Sequence, residues 1–297
     1  MLQIKSIVWA YDGSEESREA LKYAVAFAKV FGSKIWGIHV SVVPETVAYE
    51  QFSFLTDDLY NFILKSEEKH RVEFNSIGDR LSIEGVEFEG DIVQGTPSSA
   101  IIEYARERNA DLITMGKRGL GLLDRLLVGS TTLTTFRNSN VPVLAVKKHV
   151  RKEETPRVEN ILVPIDITEE ANSALKYAAE LAEGFGARLH VLFVLRLDTY
   201  AYEVPPNVLE SLIAVSEREL KRRVDDAGVN RQKIGIDTEV IHGISPAVSI
   251  ADYADKREMD LVVINTHARS GLTRFILGSV TEKVIQECRV PVIALKP

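Results

Sequence analysis

The feature that most constrains the fold is a long internal repeat. The segment Ala20–Ala24 reads ALKYA, and the same five letters return at Ala174–Ala178. Near the end of each half, VPVLAVK at Val141–Lys147 is matched by VPVIALK at Val290–Lys296. The offset is 154 residues in the early match and 149 in the late one. Self-similarity over such a long period indicates two tandem copies of one domain.

The two copies are predicted to be domains joined by a short polar linker. A chain of 297 residues suits two domains of about 150 residues each. Residues 148–157, KHVRKEETPR, are polar and contain a proline, as is typical of a linker. We therefore place the first domain at 1–148 (repeat one) and the second at 157–297 (repeat two).

Each copy alternates apolar runs with helical patterns. In repeat one, strands are expected near residues 4–10, 34–40, 86–93, 111–116 and 141–147. The first helix is expected to run from about residue 14 to residue 31, with Ser14 as its N-cap and Gly32 just past its end. This alternation predicts an α/β fold, with two tandem doubly wound five-stranded parallel sheets covered by helices on both faces.

The most informative local motif occupies residues 116–132, GKRGLGLLDRLLVGSTT, directly after a strand-like run. Gly116 and Gly119 permit a tight turn and a close approach of the backbone to a ligand. The Lys-Arg pair between them supplies two cations. Gly129-Ser130 opens the next helix, whose N–H groups and dipole favour an anion. Together these features predict a phosphate-binding cradle.

The spacing of this motif distinguishes it from two common nucleotide motifs. It is neither the Gly-x4-Gly-Lys-Ser/Thr of a P-loop nor the Gly-x-Gly-x-x-Gly of a dinucleotide fold. Gly-x2-Gly-x9-Gly-Ser resembles the ATP-binding signature of the universal stress protein family, and here it is complete. The resemblance covers nearly the whole chain. It implies a Rossmann-like, adenine nucleotide alpha hydrolase-like sheet of order 3-2-1-4-5, whose ligand binds between strands one and four.

The resemblance also implies which residues of repeat one bind nucleotide. Asp12 would contact the adenosine part, and Val40, which ends the second strand, would contact adenine through backbone groups. The residues that would line the site or hold the phosphates are Met115, Gly116, Gly119, Gly129, Ser130 and Thr131. The expected ligand is ATP with Mg²⁺. Residues 9–11, Trp-Ala-Tyr, replace the usual small entry and are expected to narrow the pocket near the base.

Repeat two departs from the signature. The residues that match the proposed site are Asp166, Val194, Gly278 and Ser279. Asn265 and Ala268 stand where repeat one has its first two signature glycines. An alanine with positive φ costs roughly 1 kcal/mol or more and brings a Cβ toward the phosphates. Repeat two is therefore expected to be the weaker nucleotide site, and whether it binds at all is left open.

Composition excludes several other classes of function. A net charge of −7 argues against non-specific nucleic-acid binding, and no apolar run reaches membrane-spanning length. The single cysteine, Cys288, excludes an internal disulfide framework and points to a reducing compartment, expected to be the cytoplasm. The six histidines show no metal-ligand spacing.

Two functional classes follow from these observations. No general base stands out beside the expected phosphates, which favours a nucleotide-dependent regulatory or stress-response protein over an enzyme. A slow ATP hydrolase or nucleotidyl-transfer enzyme on the same scaffold is the alternative. A ligand-free interaction scaffold is the third reading.

The fifth strands of the two repeats are predicted to meet. Both are long and apolar, and an exposed edge of that kind is an aggregation hazard unless it is covered. Single-domain members of the family are thought to pair these strands, and tethering favours the same pairing within one chain. We expect an intramolecular pseudo-dimer, with Pro142 and Pro291 marking where the strands begin. Two independent globes on the linker are the alternative, and a further homodimer is left open.

Overall fold

The computed structural model describes residues 2–42, 56–118, 128–148, 155–168, 173–197, 205–266 and 277–296. The strands are Ser6–Tyr11 (β1), Lys34–Ser41 (β2), Phe88–Gln94 (β3), Leu112–Gly116 (β4), Val143–Val146 (β5), Asn160–Pro164 (β6), Arg188–Arg196 (β7), Ile236–Gly243 (β8), Leu261–Asn265 (β9) and Val292–Leu295 (β10). The helices are Glu15–Phe31 (α1), Thr56–Ile83 (α2), Pro97–Glu107 (α3), Ser130–Asn138 (α4), Ser173–Phe185 (α5), Pro206–Asp226 (α6), Pro246–Lys256 (α7) and Ser279–Glu287 (α8). None of these helices combines the length and the apolar character that crossing a membrane requires.

Local sequence explains where α1 begins and ends. The Ser14 hydroxyl accepts a hydrogen bond from the Ser17 N–H at 3.0 Å, which caps the helix N-terminus. At the other end Gly32 adopts φ 68°, and its N–H donates to the Ala28 carbonyl at 2.8 Å. The predicted boundaries of this helix are confirmed. The N-terminus of α1 is important for the candidate site because this helix begins shortly after β1 ends.

All ten strands form one sheet, in the order β3-β2-β1-β4-β5-β10-β9-β6-β7-β8. Within each repeat the strands are parallel and follow the order 3-2-1-4-5, which confirms the predicted topology. In repeat one, β2 and β3 are added on one side of β1, and β4 and β5 on its other side, so the strand order switches between β1 and β4. In a doubly wound sheet that switch point opens a crevice outside the carboxyl ends of the strands.

The two repeats meet through their fifth strands. β5 and β10 pair antiparallel, with Leu144 opposite Ile293 at the centre. Both strands begin directly after a proline, as expected. The pairing covers two sheet edges that would otherwise be open, so the predicted intramolecular pairing is confirmed. Residues 149–154 lie outside the described part of the chain, and the exact domain boundaries stay a prediction.

Each face of the sheet carries a core that continues across this junction. Ile7 and Trp9 point to the face covered by α1, α2, α5 and α6, whereas Val8 and Ala10 point to the face covered by α3, α4, α7 and α8. The first core also contains contacts between the repeats, such as the edge-to-face packing of Phe27 on Phe185 at 4.9 Å between ring centroids. The repeats therefore share their cores, and a core substitution in one repeat can affect the packing of the other.

Candidate functional site

A pocket of about 690 Å³ opens at the carboxyl ends of β1, β2 and β4, at the switch point of repeat one. We call it the first pocket. The predicted residues that line it are Asp12, Val40, Met115, Gly116, Gly129, Ser130 and Thr131. Gly119, the remaining predicted residue, lies outside the described residues. The fold thus brings residues that are more than 100 positions apart in the chain together around one cavity, as expected for this topology.

Asp12 leaves β1 into this pocket and is held by its own turn. Its Oδ1 accepts a hydrogen bond from the Ser14 N–H at 2.9 Å, and its side chain is half-buried. An Asx turn of this kind fixes the carboxylate before a ligand arrives. Among the described residues the second oxygen of this carboxylate accepts no hydrogen bond, which leaves it as an acceptor for a ligand.

Gly116 is required for a reason other than the one predicted. A Cβ at this position would lie 2.9 Å from the Glu16 Cβ and 2.9 Å from the Ser17 backbone nitrogen, on α1. Side chains do not tolerate such approaches to backbone, so glycine is needed for β4 to pack against α1. The tight turn was predicted to need a glycine with conformational freedom, but Gly116 is not among the positive-φ glycines of the described residues.

The N-terminus of α4 faces the pocket without a side-chain cap. Gly129 is the N-cap residue, and the first bond within the helix runs from the Leu133 N–H to its carbonyl at 3.0 Å. The N–H groups of residues 130–132 therefore have no acceptor inside the helix. The Thr132 hydroxyl donates to the Gly116 carbonyl at 2.9 Å and anchors this helix end to β4. Three outward N–H groups at a positive dipole end make an anion site.

The two cationic side chains of the signature loop, Lys117 and Arg118, lie in different places. Arg118 lines the first pocket, but Lys117 does not. The Lys117 side chain is only 2% exposed, and its Nζ donates to the Cys288 carbonyl of repeat two at 2.5 Å. Burial lowers the pKa of this amine to about 8. The expectation that both cations serve a phosphate cradle is therefore wrong for Lys117, and no sequence signal pointed to its partner.

On the β2 side of the first pocket, the lining residue His39 belongs to a pair of histidines. His39 lies on β2, and its Nδ1 is 2.9 Å from the Tyr11 carbonyl, which ties the ring to β1. Its ring stacks on His70 of α2 with 3.8 Å between centroids. Burial, together with the neighbouring His39, lowers the pKa of His70. The two histidines are far apart in the chain, which explains why spacing did not reveal the stack.

Of residues 9–11, which are expected to narrow the first pocket, Ala10 and Tyr11 line it and Trp9 does not. Trp9 is fully buried in the core on the opposite face, where its Nε1 donates to the Ser17 carbonyl at 2.7 Å. Ala10 contributes a single methyl group to the pocket face. Tyr11 reaches the pocket edge, and its hydroxyl is held by the Arg18 guanidinium at 2.6 Å. Strand alternation, which sends neighbouring side chains to opposite faces, accounts for the difference.

Repeat two has an equivalent but smaller pocket, the second pocket, of about 490 Å³. All four predicted residues line it, namely Asp166, Val194, Gly278 and Ser279. Asp166 makes the same turn as its counterpart, since its Oδ1 accepts from the Thr168 N–H at 2.9 Å. Asn265, at the position of the first signature glycine, accepts a hydrogen bond from the Ser173 hydroxyl of α5 at 2.7 Å. Ala268 lies outside the described residues.

Within the described part of the chain, no group of three or more His, Cys, Asp or Glu side chains is placed to hold a metal ion. The described residues that line the first pocket fit an anion, through the N–H groups at the start of α4. The phosphates of a bound nucleotide can themselves supply ligands to a divalent cation, with water completing the shell.

Comparison with known proteins agrees with the repeated domain. The sequence model of the Universal stress protein family matches residues 3–147 and again 157–296. A universal stress protein of Methanocaldococcus jannaschii is 34% identical over 150 residues, covering 48% of this chain and 82% of that protein. One of Mycolicibacterium smegmatis is 24% identical over 304 residues, covering 98% and 97%. The crystal structure of a universal stress protein from Archaeoglobus fulgidus has the same fold, with a TM-score of 0.71 and 21% identity over 99% of this chain and 97% of that chain. The chain belongs to the universal stress protein family and carries two copies of its domain.

Proposed function

We propose that this protein is a nucleotide-dependent regulatory protein of the stress response, with ATP bound in the first pocket. The observation that carries the proposal is the uncapped N-terminus of α4, which shares one cavity with the carboxylate of Asp12. An anion is favoured at the first feature and hydroxyl groups at the second. A nucleoside phosphate presents both groups on one molecule.

The lining of the pocket suggests how each part of ATP is placed. The N–H groups of residues 130–132 and the Arg118 side chain would hold the phosphates, which would bring Mg²⁺ with them. The free oxygen of Asp12 would accept from the ribose hydroxyls. Ile38, Ile101 and Met115 supply apolar surface for the base, beside the backbone of Val40 at the end of β2.

Repeat two is proposed to be the weaker site. The second pocket is smaller, and an asparagine side chain occupies the position of the first signature glycine. Val280 also replaces the hydroxyl of Thr131 at the helix N-terminus. The loss of this hydroxyl at the helix N-terminus and the smaller volume both reduce the affinity for a triphosphate. The single cysteine still favours a reducing compartment such as the cytoplasm.

The test is to identify the small molecule that co-purifies with the native protein by mass spectrometry, followed by calorimetric titration of the nucleotide-free protein with ATP. We expect an adenine nucleotide and one dominant binding event per chain. Absence of bound nucleotide together with no heat on titration would leave the ligand-free scaffold as the better description. Steady conversion of ATP to ADP by the purified protein would favour the hydrolase alternative.

A further inference from the structure

Lys117 stands between the phosphate-binding helix and the junction of the two repeats. Its backbone N–H donates to the Val146 carbonyl of β5 at 2.7 Å. Its carbonyl accepts from the N–H of Gly129, the N-cap of α4, at 2.8 Å. One residue of the signature loop is thus bonded both to the junction strand and to the helix end that faces the first pocket.

The side chain of Lys117 then crosses into repeat two. Its Nζ donates to the carbonyl of Cys288, the C-cap residue of α8, whose own N–H donates to the Val284 carbonyl at 3.0 Å. The carboxyl end of a helix carries partial negative charge, which favours an ammonium group there. The opposite end of α8 begins after Gly278, in the second pocket. A single side chain therefore connects the phosphate helix of one repeat to the corresponding helix of the other.

Repeat two provides an internal comparison for this arrangement. Thr266 occupies the equivalent position: its N–H donates to the Leu295 carbonyl at 2.8 Å, and its carbonyl accepts from the Gly278 N–H at 2.7 Å. The backbone bonds are the same in both repeats, so they belong to the fold. A threonine side chain is too short to cover the distance that the four-carbon stem of lysine covers between the two repeats.

A buried ammonium group is a poor choice for stability alone. The Lys117 side chain is almost fully buried, and burial lowers its pKa to about 8. An apolar side chain of similar length would fill the same space without the cost of removing a charge from water. A residue that breaks a packing rule in this way is expected to serve a function.

We propose that Lys117 is a positioning residue for the first pocket, which holds the N-terminus of α4 against repeat two and couples nucleotide binding there to the last turn of α8. This inference rests on the proposed nucleotide site. When phosphates engage the N–H groups of residues 130–132, the N-terminus of α4 becomes more rigid. Because the carbonyl of Lys117 is bonded to the N–H of Gly129 and its side chain is bonded to the end of α8, the ordering extends into the second repeat.

The first experiment measures affinity at repeat one alone. Asp166→Ala weakens the second pocket further, so that the first pocket dominates the binding signal. ATP is titrated calorimetrically into this background with Lys117→Met or Lys117→Thr added. Methionine keeps the length of the side chain without its charge, and threonine is the residue that repeat two itself uses. We expect each to weaken ATP binding about three- to tenfold. Lys283→Met, an exposed lysine on α8, is the matched control and should leave the affinity unchanged.

The second experiment reads the coupling directly by hydrogen exchange. Adding ATP to the Asp166→Ala protein should slow exchange in residues 284–288 of repeat two, and Lys117→Met should abolish that effect while its thermal unfolding stays cooperative. A merely structural lysine would change the melting temperature but not this difference. If the protein binds no ATP, the proposed function fails. If ATP binds and either the affinity of both Lys117 variants or the exchange of α8 is unchanged, the coupling is overturned while the nucleotide site stands.

Discussion

Replacing Lys117 by methionine gives a prediction whose size follows from the structure. Burial lowers the pKa of this amine from its ordinary 10.5 to about 8. Such a shift corresponds to a penalty of about 3 kcal/mol in the free energy of unfolding at pH 7. Lys117→Met removes the penalty but also takes the ammonium donor away from the Cys288 carbonyl, at a cost of roughly 1–3 kcal/mol. The two effects nearly cancel, so the variant should be about as stable as the parent at neutral pH.

The pH dependence separates the two effects. Between the folded pKa near 8 and the ordinary 10.5, the unfolded chain binds more protons at this lysine than the folded chain does. The free energy of unfolding contributed by Lys117 therefore rises with pH. The penalty is fully present below about pH 8 and fades toward pH 10.5. From pH 7 to pH 10 the parent should gain roughly 2 kcal/mol relative to Lys117→Met. The Cys288 thiol, whose pKa burial raises to about 12, stays protonated throughout.

The assay is urea unfolding of the parent, Lys117→Met and the exposed control Lys283→Met at four pH values from 7 to 10. Groups common to all three proteins cancel in the differences. The two differences that involve Lys117→Met should change with pH, and the difference between the parent and Lys283→Met should not. If that difference is the same at every pH, Lys117 is not a buried ammonium of lowered pKa. If Lys117→Met is destabilised at pH 7 by more than about 5 kcal/mol, the charge stabilises the fold and the argument from its cost is wrong.

Three further predictions concern the pockets and the junction. Asp12→Ala should weaken ATP binding about tenfold by calorimetry, since it removes hydrogen bonds to the ribose. The melting temperature of the ligand-free protein should be nearly unchanged. If tripolyphosphate binds as tightly as ATP, the adenosine assignment is contradicted. Gly119→Ala should remove most of the affinity of repeat one, and Ala268→Gly should strengthen repeat two; unchanged titrations of both would refute the signature assignment. Leu144→Lys combined with Ile293→Lys buries two charges at the β5–β10 pair and should separate the two repeats. X-ray scattering would show this as a larger radius of gyration. An unchanged radius of gyration would mean that the junction does not depend on this pair.

Much of the architecture follows from the sequence because its signals are local or periodic. The repeated segments established two copies of one domain, and the alternation of strand-like and helical runs established a parallel sheet. Ser14 and Gly32 set the ends of α1 through hydrogen bonds within a few residues of themselves. The strand order and the site residues came from the family resemblance, which the signature spacing carried. These features depend on neighbours along the chain or on a recognisable pattern.

The tertiary structure alone decided the contacts between distant residues. Lys117 and Cys288 are 171 positions apart, and nothing in either neighbourhood signals that one reaches the other. The sequence predicts that glycine at 116 permits a tight turn close to a ligand, whereas the structure shows that it allows the close packing of β4 on α1. The same holds for the stacking of His39 on His70. Side-chain reach, burial and charge depend on which surfaces the fold brings together, and a one-dimensional pattern does not contain that information until the sheet has closed.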